Sequence, residues 1–395
     1  MTRVLELSAQ AAGGVRAHIR QVSQLLAKDG HQVLLAGPSN VISPADDAVS
    51  GACLRTYQIN IGARPSGADL KALRQLKQLA ATAQVIHAHG LRAGALAVLA
   101  VKRLPAAKRP RVVVTLHNLP VGSAPTRLVG QVLQLVVVKG ADYVLTVSPD
   151  LLEKAKQLGL KAGEIAVVPA PARGCADCGC MDHAAQPEIS QASAQSLDAG
   201  SGVGTGSGVG AGSSYGASSA AGCGATPCVL TIARLAPQKG LDLLLEAATL
   251  IKQRGLNFTW LVAGDGPLKA QLNQQITAAD LPVKLLGRRE DIGALLAQAD
   301  VVVQTSYWEG QPLTLREAMQ AGRAVVATDV GGSAYTLAGC GQLVEPQAGP
   351  LADAVVAVIS DPKRRETLEA ASRAAVAKIP GETQLREQLD RVLKL

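Results

Sequence analysis

Aromatic side chains are scarce: one Phe, two Trp and five Tyr in 395 residues. Basic residues therefore have no stacking rings interleaved with them, which argues against nucleic acid as a partner. Charge is sparse too, at 18% Asp, Glu, Lys and Arg against 48% apolar residues, and this excludes collagen, coiled coil and a highly charged disordered tail. No run approaches the roughly 18 uninterrupted apolar residues of a spanning helix, the nearest being short stretches such as Ala93 to Val101. The opening Met1-Thr-Arg-Val-Leu-Glu-Leu reads as a strand with charges inside it, unlike a secretory signal. The expectation is a cytoplasmic globular protein that can lie peripherally on the inner face of a membrane.

What the chain does have is length for two domains and an uneven charge. Residues 1–170 hold 20 Lys/Arg against 9 Asp/Glu, a balance of +11, while residues 171–395 hold 19 against 22, a balance of −3. The basic half suits an anionic partner, a membrane surface or a phosphorylated substrate, or is simply a solvated face. Between the halves, residues 200–224 contain ten glycines, almost all the rest being Ser, Ala, Val or Thr, too little apolar surface to offset the entropy of ordering. The division is 1–170, an insert or linker at 171–227, a second domain at 228–375, and a terminal helix at 376–395 that is able to cross back to the first domain.

Each half alternates short apolar runs with amphipathic helical segments. Strands are expected at Val4 to Leu7, Gln32 to Ala36, Val85 to His87, Val112 to Leu116, Tyr143 to Val147 and Ile165 to Val168. In the second half they fall at Val229 to Ile232, Phe258 to Ala263, Val283 to Leu286, Val301 to Gln304 and Ala324 to Thr328. Apolar runs separated by helices indicate parallel sheets, hence an α/β fold of two doubly wound, Rossmann-like domains facing across a cleft. Ligands of such sheets bind beyond the strands' carboxyl ends.

Glu309-Gly-Gln-Pro-Leu-Thr-Leu-Arg-Glu317 follows the strand ending at Gln304. Gly310 and Pro312 suit a loop, so a helix beginning near Leu313 would aim its free first-turn amides at a phosphate, with Glu317 one turn in to accept hydroxyl hydrogen bonds. A carboxylate here also serves as an ordinary helix-start feature. Arg234 and Lys239, on the loop after Val229 to Ile232, have the chemistry of a diphosphate clamp or of plain exposed charges. Gly264-Asp-Gly266 is a fragment of a dinucleotide fingerprint with Lys269 at the third glycine position. In the first half, Gly13-Gly14 opens a helix, and His87, His89 and His117 lie at strand ends.

In this order, Gly13-Gly14, His89, Thr115-Leu-His117, Arg234 with Lys239-Gly240, Gly264-Asp-Gly266-Pro and Glu309-x7-Glu317 resemble the retaining nucleotide-sugar glycosyltransferases of the family-4 type, which have the GT-B fold. The resemblance implies a hexosyltransferase of cell-envelope biosynthesis taking a UDP- or GDP-sugar donor and a carbohydrate, lipid-linked or small-molecule acceptor, with no cofactor and no metal. It implies that Arg234 and Lys239 neutralise the diphosphate, with Gly14 close to it. Glu317 would hold the ribose, Gly310, Leu313 and Thr314 would support phosphate and sugar, and Glu309 and His117 would be catalytic, at the donor sugar. Gly13 and His89 would lie on the acceptor side. The family's usual glutamate three positions after the Gly331-Gly332 pair is Tyr335 here. The alternatives are an epimerase or sugar phosphorylase on the same fold, or a non-catalytic membrane-docking protein. Cys175-x2-Cys178-x-Cys180-x2-His183 offers zinc-type ligands in a non-standard spacing, and reduced thiols are the simpler expectation.

Overall fold

The computed structural model describes residues 1–11, 13–42, 53–62, 67–118, 124–169 and 226–395. Of the expected insert, only residues 226 and 227 are among them, so the Cys175, Cys178, Cys180 and His183 cluster lies outside the described residues.

Two all-parallel sheets form, each covered by helices on both faces. The first orders its strands β3-β2-β1-β4-β5-β6-β7, where β1 is Arg3–Ser8, β2 Gln32–Gly37, β3 Leu54–Gln58, β4 Val85–His89, β5 Arg111–Leu116, β6 Tyr143–Thr146 and β7 Gly163–Ile165. The second runs β10-β9-β8-β11-β12-β13, with β8 Cys228–Ile232, β9 Thr259–Ala263, β10 Val283–Gly287, β11 Val301–Gln304, β12 Ala324–Thr328 and β13 Gln342–Val344. This is the GT-B arrangement of two Rossmann-like units.

The central strands are those that the sequence announces. β4, β11 and β12 are buried along their whole length, and β11 and β12 accordingly open on unbroken Val and Ala runs, while β4 carries His87 and His89 between its apolar positions. Edge strands carry a weaker signal: β3 and β13 were not expected, and both are only partly buried. The expected strand Ile165 to Val168 is displaced. β7 ends at Ile165, while Ala166 and Val168 are buried in a cluster with Leu385, Leu389 and Val392 of helix Glu382–Leu393. That cluster is shared by the helix and by Val4, Val33, Val113 and Leu145 of the sheet.

Helix Glu382–Leu393 thus packs on the first domain, although it follows the second in sequence. Arg111 Nε donates to the Val392 carbonyl at 2.8 Å, and Arg391 and Arg386 pair with Glu164 and Asp29, each at 2.8 Å. The crossing fixes one domain against the other by apolar burial and by directed polar bonds. Among the described residues, no helix is long and apolar enough to cross a membrane.

Candidate active site between the two sheets

In the first sheet the chain order reverses between β1 and β4, and in the second between β8 and β11. Such switch points are where open α/β sheets leave a crevice for ligand. The expected site residues gather around these two crevices.

On the second domain, β11 leads through residues 305–312 into helix Leu313–Gln320, which starts where the sequence expects and has no side-chain cap and no acidic residue in its first turn. Glu309 is buried, and its Oε1 accepts hydrogen bonds from Ser306 Oγ at 2.6 Å and Lys239 Nζ at 2.5 Å. Lys239 is held in turn by its carbonyl, which accepts from Thr305 Oγ1 at 2.8 Å. Gly240 takes φ +58° there, and a Cβ would strike the Thr305 carbonyl, so this corner requires glycine. Thr314 lines the same crevice as Lys239 and Glu309, Glu317 is buried one turn into the helix, and Arg234 is exposed on the loop after β8. Gly264 and Gly266 lie against the carbonyls of Ala233 and Leu235, so that glycine pair serves loop packing. Tyr335 is partly exposed on helix Ser333–Leu337.

The loop carrying Glu309 reaches into the first domain. Trp308 Nε1 donates to Asp150 Oδ2 at 2.9 Å, and Gln311 Nε2 donates to the Ala166 carbonyl at 2.6 Å. A Cβ on Gly310 would collide with Val147, and one on Gly14 would sit 3.1 Å from Leu313 Cδ1. Gly310 also lies next to the His117 carbonyl, while Gly13, at φ +56°, opens the helix Gly13–Lys28. Beside that helix a cavity of about 380 Å³ is lined by His18, Gln21, Gln24, Lys28, Val168 and Leu313, among others.

Beneath the first switch point lies a buried polar layer that sequence reasoning saw only in part. Glu6 of β1 is fully buried, with His87 Nδ1 donating to its Oε1 at 3.1 Å and His89 Nε2 donating to its Oε2 at 2.7 Å. His87 Nε2 is 2.8 Å from Thr115 Oγ1, and His89 Nδ1 is 3.3 Å from His117 Nε2. The His18 ring stands edge-on to His89 and His117, with centroids 6.1 and 5.9 Å away. Glu6 and His18 are the members that the sequence reading does not name as site residues, while Thr115 enters it only within the Thr115-Leu-His117 motif. The signal available was a charge within an apolar first strand, paired in register with the His87 position of β4.

Burial opposes ionisation of Glu6, but the adjoining His87 and His89 overcome it and lower the carboxyl from 4.5 to about 2. Burial, then the neighbouring imidazoles, lowers His89 to about 4, His18 to about 3 and His117 well below 6.5.

Both halves match family models: residues 13–171 the glycosyl transferase 4-like domain, and residues 226–361 the glycosyl transferases of group 1. The chain belongs to the family-4 type of glycosyltransferases. Among relatives of this glycosyltransferase, the alpha-D-kanosaminyltransferase of Streptomyces kanamyceticus is 33% identical over 149 residues, which cover 36% of this chain and 39% of the relative. An alpha-1,3-N-acetylgalactosaminyltransferase of Campylobacter jejuni, named for N,N'-diacetylbacillosaminyl-diphospho-undecaprenol, is 40% identical over 108 residues, 27% of either protein. The matched stretches thus span about two fifths or less of these relatives. Of solved structures, Anabaena HepE in complex with UDP-glucose superposes with TM-score 0.71 at 20% identity over 100% of both chains, a likeness of fold.

The glycosyltransferase's imidazole layer makes it acid-sensitive. His18, His89 and His117 take up protons on unfolding below pH 6.5 that the folded state refuses, so stability falls as pH drops toward about 4 and 3 for His89 and His18. Glu6 adds to this only below 4.5, losing its contribution as pH falls through about 2. Each imidazole contributes about 1.4 kcal/mol per pH unit in this window. Urea unfolding at pH 7 and pH 5 should show the loss, and His18→Gln should flatten the slope by one group; a pH-independent unfolding free energy would contradict the buried neutral imidazoles.

Proposed function

We propose that this chain is a retaining glycosyltransferase that moves a hexosyl group from a UDP- or GDP-sugar to a lipid-linked, cell-envelope or small-molecule carbohydrate acceptor. The observation that carries this reading is the Glu309 to Glu317 loop and helix, set beside Lys239 at the second switch point and facing Gly14 and His117. The UDP-glucose of HepE and the lipid-linked acceptor in the Campylobacter relative's name support the donor and acceptor classes.

In this reading the diphosphate sits against the first-turn amides of helix Leu313–Gln320, with Gly310 and Thr314 lining it. Lys239 and Arg234 supply positive charge to the leaving group, so that its stabilisation needs no metal. Lys239 turns from Glu309 toward phosphate, which frees Glu309 to accept from the donor sugar. Glu317 accepts from the ribose hydroxyls. The acceptor enters from the first-domain side, past Gly13 and the His18-lined cavity, toward His89 and His117. It attacks from the face that the diphosphate leaves, retaining the anomeric configuration, and its proton passes to the departing phosphate oxygen.

An anionic membrane surface fits the first domain. Helix Ala124–Gly140 exposes Leu128, Val129, Val132 and Leu135, and the adjoining elements bear exposed Lys102, Arg103, Lys108 and Arg109. An apolar stripe flanked by cations is the composition of an interfacial helix.

Two measurements test the reading. With donor and acceptor supplied, Glu317→Ala and Lys239→Ala should lower kcat/KM on the order of 100-fold while leaving the fold intact; full transfer in both variants would overturn the site assignment. Sedimentation with phosphatidylglycerol vesicles should show binding that weakens with added salt and is lost in Leu128→Glu plus Leu135→Glu. Unchanged binding by that double variant would remove this helix from the interface.

A further inference from the structure

Four of the chain's six histidines crowd around one buried carboxylate, Glu6, which has no part in the reading above. We propose that Glu6 is a positioning residue that acts through His89 to fix His117 as a hydrogen-bond acceptor toward a hydroxyl of the bound donor sugar.

Both oxygens of the Glu6 carboxylate only accept, so His87 must present Nδ1–H and His89 must present Nε2–H. His87 satisfies this in either charge state, because Thr115 Oγ1 beside its Nε2 can donate or accept. His89 has no such freedom. With its one proton committed to Glu6, its Nδ1 is a lone pair, and the neighbouring His117 must supply the hydrogen from Nε2. A neutral His117 protonated on Nε2 has an unprotonated Nδ1. One ionised carboxylate on β1 thereby sets the polarity of a ring two strands away on the loop after β5. The tautomer sets the direction of a bond to a sugar hydroxyl: an unprotonated Nδ1 accepts the hydroxyl proton, whereas an Nδ1–H would donate to the hydroxyl oxygen.

The groups facing this layer are Glu6, His87, His89 and Thr115 from the strands, His18 from helix Gly13–Lys28, and Arg316, whose charge reaches His18. Glu6, His87 and His89 place their ligand-type atoms within 4.8 Å of one another, a spacing that a metal ion would also accept. Each carboxylate oxygen already receives an imidazole N–H, and the chain of bonds onward to Thr115 and His117 is the pattern of a relay.

This proposal rests on the transferase reading for the sugar but not for the tautomer, and the experiment separates the two. Long-range proton–nitrogen spectra of the histidine-labelled, metal-analysed protein should show His89 and His117 wholly as Nε2–H tautomers from pH 8 to 6. An Nδ1–H or mixed His117, or one equivalent of bound metal held by these ligands, would overturn the relay whatever the activity. Glu6→Leu should then give mixed tautomers and a kcat at least tenfold lower, with the nucleotide-sugar KM little changed. Glu6→Gln, whose carbonyl can still accept from His89 while its amide faces His87, should restore both. Equal loss in the two variants, or loss in Glu6→Leu with unaltered tautomers, would reduce Glu6 to a packing role. If neither UDP-glucose nor GDP-mannose is turned over by the unmodified chain, the transferase reading fails, and the spectra still decide the relay.

Discussion

The segment from Trp308 to Gln311 is the constraint on which the site depends. It bonds across the interface through Trp308 to Asp150 and through Gln311 to the Ala166 carbonyl, while Gly310 fits against Val147 only because it lacks a Cβ. The same segment carries Glu309, whose carboxylate orients Lys239. Whatever moves the domains apart therefore also moves the acidic and basic groups at the second switch point. Helix Glu382–Leu393, which packs its Leu389 and Val392 on the first domain, limits that movement from the other side.

Polar groups at both crevices are costly to bury, and the chain offsets the cost differently in each. On the second domain an ion pair is left partly open, with Lys239 at 25% side-chain exposure, so its partner can be exchanged for a ligand. On the first domain the carboxylate is closed off and compensated by hydrogen bonds from two imidazoles. One arrangement suits a charge that must respond to substrate; the other suits a charge that must not move.

Much of this was legible in the sequence, for identifiable reasons. Strands buried on both faces leave continuous apolar runs, so β11 and β12 were placed with their observed bounds, whereas the edge strands β3 and β13, half in contact with solvent, left none. Val168 misled because it is buried outside any strand, in a cluster that includes a helix more than 200 residues later in the chain. The Glu309 to Glu317 spacing was legible because loop and helix are local. The Lys239 to Glu309 bond, across 70 residues, and the Glu6 to His89 bond, across 83, were not, since strand order rather than sequence distance decides those pairings.

A crystal structure of the chain with UDP or GDP would show directly whether a donor site is assembled at the second switch point by the loop that also joins the domains. The diphosphate should lie at the amino end of helix Leu313–Gln320, within hydrogen-bond reach of Lys239 Nζ, with the Lys239 to Glu309 bond lengthened or broken. A nucleotide bound away from that helix, with the Lys239 to Glu309 bond intact, would contradict it.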